Sequence, residues 1–240
     1  MIEGQTVSGL SLLSRVRPFE IDQAGQKRGC VLDYSSPILN ATTIYDVSGK
    51  GNHGTITGAT WTRLRSGLRV LSFDGDDFVN CGSDASLNGV GAFTAETWVE
   101  PKATPDDYDA FMNKQALTGG WGVGFSGGAG VRKFNGAIYD TDWRVCEGTT
   151  ELQDGIWYHA VATYNGTNLL TVFVNGVSEK TQAVGAMAAH AAIDLTLGKS
   201  TTFASRLLTG YLALASFYNR ALDAIEIQSH YQQTRHLFNV

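Results

Sequence analysis

The stretch at 154–180, D-G-I-W-Y-H-A-V-A-T-Y-N-G-T-N-L-L-T-V-F-V-N-G-V-S-E-K, limits what this chain can fold into more than any other. Residues 156–164 and 169–174 are rich in β-branched, aromatic and other apolar side chains. Each run is followed by Asn-Gly or ends in it, and this pair accepts the positive φ angles of tight hairpin turns. Because side chains alternate between two faces along a strand, one face of each run can cover a core. The stretch therefore predicts three consecutive antiparallel strands, a β-meander.

The composition agrees with a fold built from such strands. The 240 residues are 43% hydrophobic, with 28 glycines and only 4 prolines, which is typical of one turn-rich globular domain. Further short strand candidates, separated by turns rich in Gly, Asn or Asp, lie at 29–34, 68–73, 78–81, 93–99, 110–113, 121–125, 134–139, 193–198 and 207–217. The pattern predicts an all-β sandwich of antiparallel strands.

The first 28 residues do not follow the strand pattern. We expect residues 1–28 to form an arm outside a single domain that spans residues 29–240. The arm is either an attachment or assembly segment or a disordered or expression-derived tail. It contains no basic region followed by an apolar run of roughly 7–15 residues, so no signal peptide is recognised. No apolar run anywhere reaches the roughly 18 residues of a membrane span, so no membrane insertion is expected.

A helix is expected near the C-terminus. Asp223 followed three residues later by Glu226 is a capping-box pattern, and Leu222 and Ile227 can pack together as a hydrophobic staple. We therefore expect a helix at about 223–236 that packs on the sandwich or on its edge.

Charge and cysteine content exclude several functions. The formal net charge is −5 and Lys and Arg do not cluster, so the basic surface of a nucleic-acid-binding protein is missing. Cys30, Cys81 and Cys146 are odd in number and lack C-x-x-C spacing, which indicates neither a zinc site nor a full disulfide framework. We expect all three to be small buried hydrophobic residues, with a bridge between one pair as the alternative.

Several motifs occur in the order of one known family. They are Y-D-V-S-G-K-G-N-H-G-T at 45–55, S-F-D-G at 72–75, F-T-A-E-T-W-V at 93–99, the meander, and Y-N-R-A-L at 218–222. Over about residues 30–233 the chain resembles the concanavalin A-like, laminin-G-type jelly-roll family. The resemblance implies a two-sheet antiparallel jelly-roll sandwich with a short C-terminal helix. For function it leaves lectins, adhesion modules and appendages of enzymes open.

The resemblance also implies a candidate metal site. Family members often hold a structural calcium ion near the first motif, where Asp46 and Asn52 offer the oxygen ligands that Ca²⁺ prefers. A further acidic ligand comes from the family's final strand, but Ala213 and Leu214 stand there in this chain. Calcium at Asp46 and Asn52 is one expectation, and a glycine-rich turn held by hydrogen bonds is the other. The loop D-D-Y-D at 106–109 is likewise either calcium-binding or simply solvated.

Family relatives with glycosidase activity place carboxylates at alternate positions on one strand. Glu96, Trp98 and Glu100 share such a strand face here, but the middle position is not acidic. The two Glu backbones are about 13 Å apart on a strand, whereas catalytic carboxyl pairs lie roughly 5–9.5 Å apart. We therefore expect a packed Trp98 with solvated acids and no catalysis, and keep glycoside hydrolase as the alternative. His159, in mid-strand, is expected to be a hydrogen-bonded core histidine.

The middle of the chain offers a candidate ligand site. A sugar ring needs an aromatic platform for its C–H face and planar polar groups for its hydroxyls. Aromatic side chains beside glycines and polar groups that fit this need are Trp121, Tyr139, Asp140, Asp142, Trp143 and Arg144. The patch around Trp143, on a predicted hairpin turn, is preferred, because Trp121 has the alternative of filling the core.

These observations predict a non-catalytic recognition or adhesion module that binds a glycan or another cell-surface ligand. A chain with this fold pattern, no recognised signal peptide, reduced cysteines and an extra arm fits a protein displayed on a virus particle released by lysis, as a decoration or tail-adhesion component. The arm at 1–28 would then contact a virion or self-assembly partner. A purely structural assembly protein is the alternative.

Overall fold

The computed structural model describes residues 27–36, 38–102, 109–128, 131–188, 190 and 192–240. The predicted arm at 1–28 lies outside these residues except for its last two, and the acidic loop at 106–109 lies outside them except for Asp109. The domain boundary at residue 29 therefore stays a prediction.

The described residues form sixteen strands and one α-helix. In chain order the strands are β1 (Cys30–Asp33), β2 (Thr43–Ile44), β3 (Gly54–Thr57), β4 (Thr60–Arg63), β5 (Arg69–Asp74), β6 (Phe78–Asn80), β7 (Ala92–Pro101), β8 (Ala110–Ala116), β9 (Gly119–Gly128), β10 (Val131–Tyr139), β11 (Trp143–Glu151), β12 (Tyr158–Asn165), β13 (Leu169–Val174), β14 (Val177–Ala183), β15 (Thr196–Leu197) and β16 (Thr209–Tyr218). Helix α1 is Ala224–Thr234, and 3₁₀ turns lie at Ala85–Leu87 and Arg235–Leu237. No helix in the described part of the chain is long and apolar enough to cross a membrane.

The strands form two sheets that pack face to face. Sheet I has the order β14-β13-β12-β7-β16-β5-β4, with β1 paired to β16, and sheet II has the order β11-β10-β9-β8-β15-β6-β3-β2. The pairings between these strands are antiparallel. This confirms the predicted two-sheet sandwich with a short C-terminal helix.

The predicted meander is present as β12, β13 and β14. The turn between β13 and β14 places Asn175 at φ 51° and Gly176 at φ 77°, the left-handed conformations that an Asn-Gly pair accepts. Leu170, Val172 and Val174 all face the core between the sheets, as the alternation of β13 predicts.

Aromatic side chains from both sheets fill the core. Trp121 of β9 stacks on Phe217 of β16, with ring centroids 4.5 Å apart and ring planes at 2°. Phe93 of β7 contacts both rings, at 5.2 Å and 5.6 Å. All three side chains are buried, and aromatic groups of this size contribute much of the stability of a core. This contact ties the middle of sheet II to the middle of sheet I.

The three cysteines are packing groups, as predicted. Cys30, Cys81 and Cys146 are all buried free thiols. Burial raises the pKa of the Cys30 and Cys81 thiols to about 12, so both remain protonated and unreactive at neutral pH.

Helix α1 begins as the sequence predicts. The Asp223 carboxylate accepts a hydrogen bond from the backbone N–H of Glu226, whose own carboxylate accepts one from the backbone N–H of Asp223. Leu222 and Ile227 are buried in one cluster on the outer face of sheet I. The helix ends at Thr234, two residues before the predicted end, where the chain continues into a 3₁₀ turn.

Trp98 of β7 anchors the C-terminal segment to sheet I. Its ring stacks on Phe238 at 4.1 Å and on Tyr231 at 5.8 Å. Its Nε1 donates a hydrogen bond to Oγ1 of Thr234 at 3.0 Å. The prediction that Trp98 is packed is therefore confirmed, and helix α1 covers this part of the outer face of sheet I.

A buried cluster of one carboxylate and two histidines lies beneath the helix. The expectation that Glu96 is solvated is wrong, because α1 covers it and it is only 6% exposed. His159 Nε2 donates to its carboxylate at 2.7 Å, and His230 Nδ1 of α1 lies 3.0 Å from both carboxylate oxygens. Burial alone would raise the pKa of Glu96, but the electrostatic interaction with His230 and the histidine hydrogen bonds hold it well below its usual range. His159 is the hydrogen-bonded buried histidine that the sequence predicts.

We expect Glu96→Gln to destabilise the protein by about 1–3 kcal/mol at neutral pH, because it removes the carboxylate that the buried side chains of His159 and His230 hydrogen-bond. The depressed pKa means that this stabilisation is fully present above the unfolded carboxyl pKa of about 4.3 and is lost as the pH falls through the lower folded value. The stability difference between wild type and variant, measured by urea unfolding from pH 7 to pH 3, should therefore shrink below about pH 4.

Glu100→Gln is the matched control, because Glu100 lies on the same strand face but is only half-buried. Burial raises the pKa of Glu100, so its neutral replacement should cost little at any pH. Equal losses for Glu96→Gln and Glu100→Gln would contradict a stabilising role for the buried cluster.

Candidate functional site

A groove lies on the outer face of sheet II. Its volume is about 230 Å³, and strands β8 to β11 form its floor. Residues 199–207, here termed the rim loop, follow β15 and are closed by a bridge between Lys199 and Leu207. The lining side chains able to contact a ligand are Asn113, Gln115, Asn135, Trp143, Phe203 and Arg206.

The sequence of β9 separates large side chains from glycines. Trp121, Val123 and Phe125 belong to the core, while Gly122 and Gly124 form part of the groove floor. The prediction that Trp121 binds a ligand is wrong, because this side chain has no exposed surface. The alternative that the sequence left open, that Trp121 fills the core, is the arrangement found.

Glycine at position 122 makes room for two amide side chains. A Cβ atom on Gly122 would lie 2.8 Å from Nδ2 of Asn113 and 2.9 Å from Nε2 of Gln115. Both distances are shorter than a carbon and an amide nitrogen adopt without displacement. The two amides of β8 therefore lean over β9, and the floor stays flat beneath them.

The amides differ in how much of their hydrogen-bonding capacity the protein uses. Oδ1 of Asn113 accepts from the backbone N–H and Oγ1 of Thr201 at 3.0 Å and 2.7 Å, and its Nδ2 donates to Oε1 of Gln115 at 2.7 Å. Among the described residues, Nε2 of Gln115 and the side-chain amide of Asn135 have no hydrogen-bond partner. Each unused amide group can donate to or accept from a ligand in the groove.

Trp143, the centre of the preferred patch, lines the groove at β11, and ligand contact by it stays a prediction. The ring of Tyr139 meets it edge-on, with centroids 5.6 Å apart and planes at 74°. The rim loop supplies a second aromatic ring, Phe203, whose face carries the Arg206 guanidinium at 4.0 Å. The groove thus combines aromatic surface with amides. Direct ligand contact by Tyr139 stays a prediction.

The predicted ligand-binding residue Asp140 has its carboxylate engaged by the protein. The backbone N–H of Gly185 donates to Oδ2 at 2.7 Å, and Nε of Arg144 lies 3.0 Å from both oxygens. Backbone N–H donors, foremost that of Thr141, hold the pKa of Asp140 well below its usual range. Asp140 therefore fixes the hairpin turn that carries Trp143. Asp142 and Arg144 are exposed outside the groove lining, and ligand contact by them stays a prediction.

In the candidate calcium loop, hydrogen-bond donors of the protein surround the carboxylate that would have to bind the cation. The Asp46 carboxylate accepts four hydrogen bonds of 2.8–2.9 Å, from the backbone N–H groups of Asp33, Ser48 and Asn52 and from the Ser48 hydroxyl. A carboxylate has about four lone-pair sites, and these donors occupy them. Asp46 and Asn52 therefore do not fit a calcium ion in this arrangement, which is the alternative considered above, a turn held by hydrogen bonds. Calcium binding itself stays a prediction.

A second acidic group lies at the end of β5 and in the turn that follows it. Carboxylate oxygens of Asp74, Asp76 and Asp77 come within 4.8 Å of one another. Burial raises the pKa of Asp77, and the hydrogen bond and charge of Asp74 raise that of Asp76. The Asp77 carboxylate accepts from the backbone N–H of Asp74 at 3.0 Å, so this acid closes a turn, and we assign no ligand to the group.

The groove amides are residues that sequence analysis missed. Asn113 and Gln115 stand at alternate positions of β8, and Gly122 and Gly124 stand at alternate positions of β9. Because alternate residues of a strand share one face, these spacings predict that the two amides lie on the outer face of β8 and the two glycines on the outer face of β9. The amides and the glycines lie in one groove because Asn113 pairs with Gly122. This pairing is set by the register between β8 and β9, which the pattern within each strand does not predict.

The sandwich resembles several solved binding domains. They are the binding domain of Paraclostridial Mosquitocidal Protein 1 (TM-score 0.67, 14% identity, covering 85% of this chain and 52% of that one), domain 4 of AbnA, an extracellular arabinanase from Geobacillus stearothermophilus, in complex with arabinotriose (0.64, 16%, 83% and 96%), and the binding domain of Botulinum neurotoxin DC in complex with rat synaptotagmin II (0.64, 11%, 85% and 51%). This chain spans about half the length of the two toxin domains. At these identities the likeness shows the fold alone.

Sequence comparison gives the family. Comparison with curated proteins gives no match. The family model described as the concanavalin A-like lectin/glucanases superfamily matches residues 73–228, which is more than half of the chain. The match contains β7 to β16, and so includes every strand that forms the groove floor. This protein therefore belongs to the concanavalin A-like lectin/glucanase superfamily.

Proposed function

We propose that the protein is a non-catalytic carbohydrate-binding module and that the groove on sheet II is its binding site. The observation that carries this proposal is the pair of unused hydrogen-bonding groups in the groove, Nε2 of Gln115 above Gly122 and the side-chain amide of Asn135, which line it together with Trp143. Polar groups left without partners in a mostly apolar hollow are typical of a site that a ligand completes.

The chemistry of a sugar fits these groups. The C–H face of a pyranose or furanose ring packs on an aromatic side chain, here Trp143, and its hydroxyls both donate and accept hydrogen bonds. The amides of Gln115 and Asn135 supply donors and acceptors without charge. The lining contains one side chain of each charge, Arg206 at the rim and the buried Asp109 just before β8, and the strand residues of the floor are uncharged. The groove therefore favours a neutral glycan.

Similar folds support the proposal by analogy. The arabinanase domain holds arabinotriose, and the toxin domains are binding domains. Glycosidase relatives have their catalytic carboxylates on one face of the strand that corresponds to β7. In this protein that face gives no support to catalysis, because Glu96 is buried under α1 on sheet I. A glycoside hydrolase and a purely structural assembly protein are the alternatives to this proposal.

The biological role of such a module would be adhesion to a cell surface. We infer from the sequence that the module works on a cell surface, displayed on a virus particle as a decoration or tail-adhesion component. Residues 1–28 would contact the particle. These residues lie almost wholly outside the described part of the chain, so particle attachment rests on sequence alone.

We expect Trp143→Ala to lower glycan affinity by more than about tenfold, because it removes the aromatic platform of the site. The melting temperature should change little, since Trp143 is partly exposed at the groove. A glycan array followed by titration calorimetry on the best glycan measures the affinity.

Two matched tryptophan variants serve as controls. Trp121→Ala should lower the free energy of unfolding by about 3–5 kcal/mol, as for a fully buried aromatic residue. Trp61→Ala changes a half-buried tryptophan of sheet I, far from the groove strands in pairing order, and should leave glycan affinity unchanged. An array on which the folded wild type binds nothing would refute the proposed function.

We also expect glycan affinity and melting temperature to be the same with calcium and with a chelator. The reason is that protein donors occupy the lone pairs of Asp46. A drop of several degrees in melting temperature with the chelator would instead restore the calcium ion predicted at Asp46 and Asn52.

A further inference from the structure

One row of paired residues crosses the whole outer face of sheet II. It takes one residue from each of the eight strands, in the order Thr43, Thr55, Asn80, Thr196, Asn113, Gly122, Ala137 and Val145. Their strand neighbours, such as Ile44, Val79 and Leu197, belong to the core. At about 4.8 Å between strands, the row is roughly 34 Å long. It is uncharged, with threonine and asparagine over most of its length.

The groove covers only one end of this row. Asn113, Gly122, Ala137 and Val145 line it. A second hollow of about 360 Å³ lies further along the same face, over β6 and β15, and Asn80 and Thr196 belong to its lining. The two hollows lie on either side of the pair formed by Thr196 of β15 and Asn113 of β8, and both of these side chains are buried where the rim loop covers the row.

The second hollow has an aromatic ring and polar side chains, as the groove does, and it also has the charged residues Asp194 and Lys199 in its lining. It contains an aromatic ring, Phe78, with the ammonium group of Lys199 4.6 Å from its centroid. It contains an amide, Asn80, whose Nδ2 donates to Asp194 at 2.8 Å. An aromatic ring beside planar polar groups is the combination that the groove offers through Trp143 and its amides.

The rim loop joins the two hollows. Phe203 and Arg206 line the groove, while Lys199, Ser200 and Thr201 line the second hollow. Thr201 is fixed to β8, because its hydroxyl lies 2.7 Å from Oδ1 of Asn113 and 2.7 Å from the backbone oxygen of Gln115. One rigidly held loop thus shapes both hollows.

We propose that the groove and the second hollow are two subsites of one elongated site, and that its ligand is a linear, neutral oligosaccharide that crosses the strands from one hollow to the other over the rim loop. This deepens the proposed function and rests on it. The span from Val145 to Asn80 crosses five strand spacings, about 24 Å, which is several times the length of one sugar ring. The uncharged row and the net charge of −5 disfavour a polyanionic chain, which needs clustered cations.

The test compares short and long probes of the same linkage by calorimetry. The probes are arabinotriose and arabinohexaose, xylotriose and xylohexaose, and cellotriose and cellohexaose. For the series that binds, we expect the hexamer to bind wild type about tenfold more tightly than the trimer, the gain that one or two additional hydrogen bonds supply. Lys199→Ala should remove most of this gain and leave trimer affinity unchanged.

Lys180→Ala is the matched control, since it removes the same charge from exposed β14 of sheet I. It should keep the full gain. Trp143→Ala should weaken trimer and hexamer alike. Equal affinity of trimer and hexamer for wild type would overturn the second subsite and leave the proposed function standing. Failure of all six probes would overturn a neutral linear ligand, and the glycan array would then decide separately on the proposed function.

Discussion

The alternation of β9 is the constraint on which both the fold and the candidate site depend. Its large residues point inward, where Trp121 stacks on Phe217 of the opposite sheet and ties the two sheets together. Its outward positions carry glycine, so the amides of Asn113 and Gln115 can lean across the strand. A side chain at Gly122 would displace these amides, and a smaller residue at Trp121 would leave a cavity in the core. One strand therefore sets the thickness of the sandwich and the floor of the groove.

The two outer faces of the sandwich differ because the C-terminal segment covers part of sheet I. Trp98 and Glu96, on the outer face of sheet I, are buried against α1 through ring stacking with Phe238 and hydrogen bonds from His230. A ligand on that part of sheet I would compete with the helix. Sheet II carries the groove on its outer face, with side chains that still have hydrogen-bonding capacity. This asymmetry is the structural reason for placing recognition on sheet II.

Local patterns in the sequence predict much of this fold and little of the site. The meander, the capping box at Asp223 and the buried cysteines follow from alternation, turn chemistry and helix-start signals, which act over a few residues. Sequence patterns do not predict strand β11, because Arg144 and Glu147 interrupt its apolar character. Such charged residues are expected in β11, which lies at the edge of sheet II. Burial of Glu96 depends on a contact with His230, which is 134 residues away in the chain, and no local pattern contains that information.

The polar residues divide into those that the protein uses and those it leaves available. Carboxylates that look functional in the sequence are engaged internally: Asp46 holds a turn through four donors, Asp140 fixes the hairpin of β10 and β11, and Glu96 holds α1. In the groove, among the described residues, Nε2 of Gln115 and the side-chain amide of Asn135 have no hydrogen-bond partner. Because an engaged carboxylate has few lone pairs left for a ligand whereas a free amide both donates and accepts, the surface that remains is suited to hydroxyl groups. The proposal of a neutral, hydroxyl-rich ligand thus follows from which polar groups already form hydrogen bonds within the folded protein.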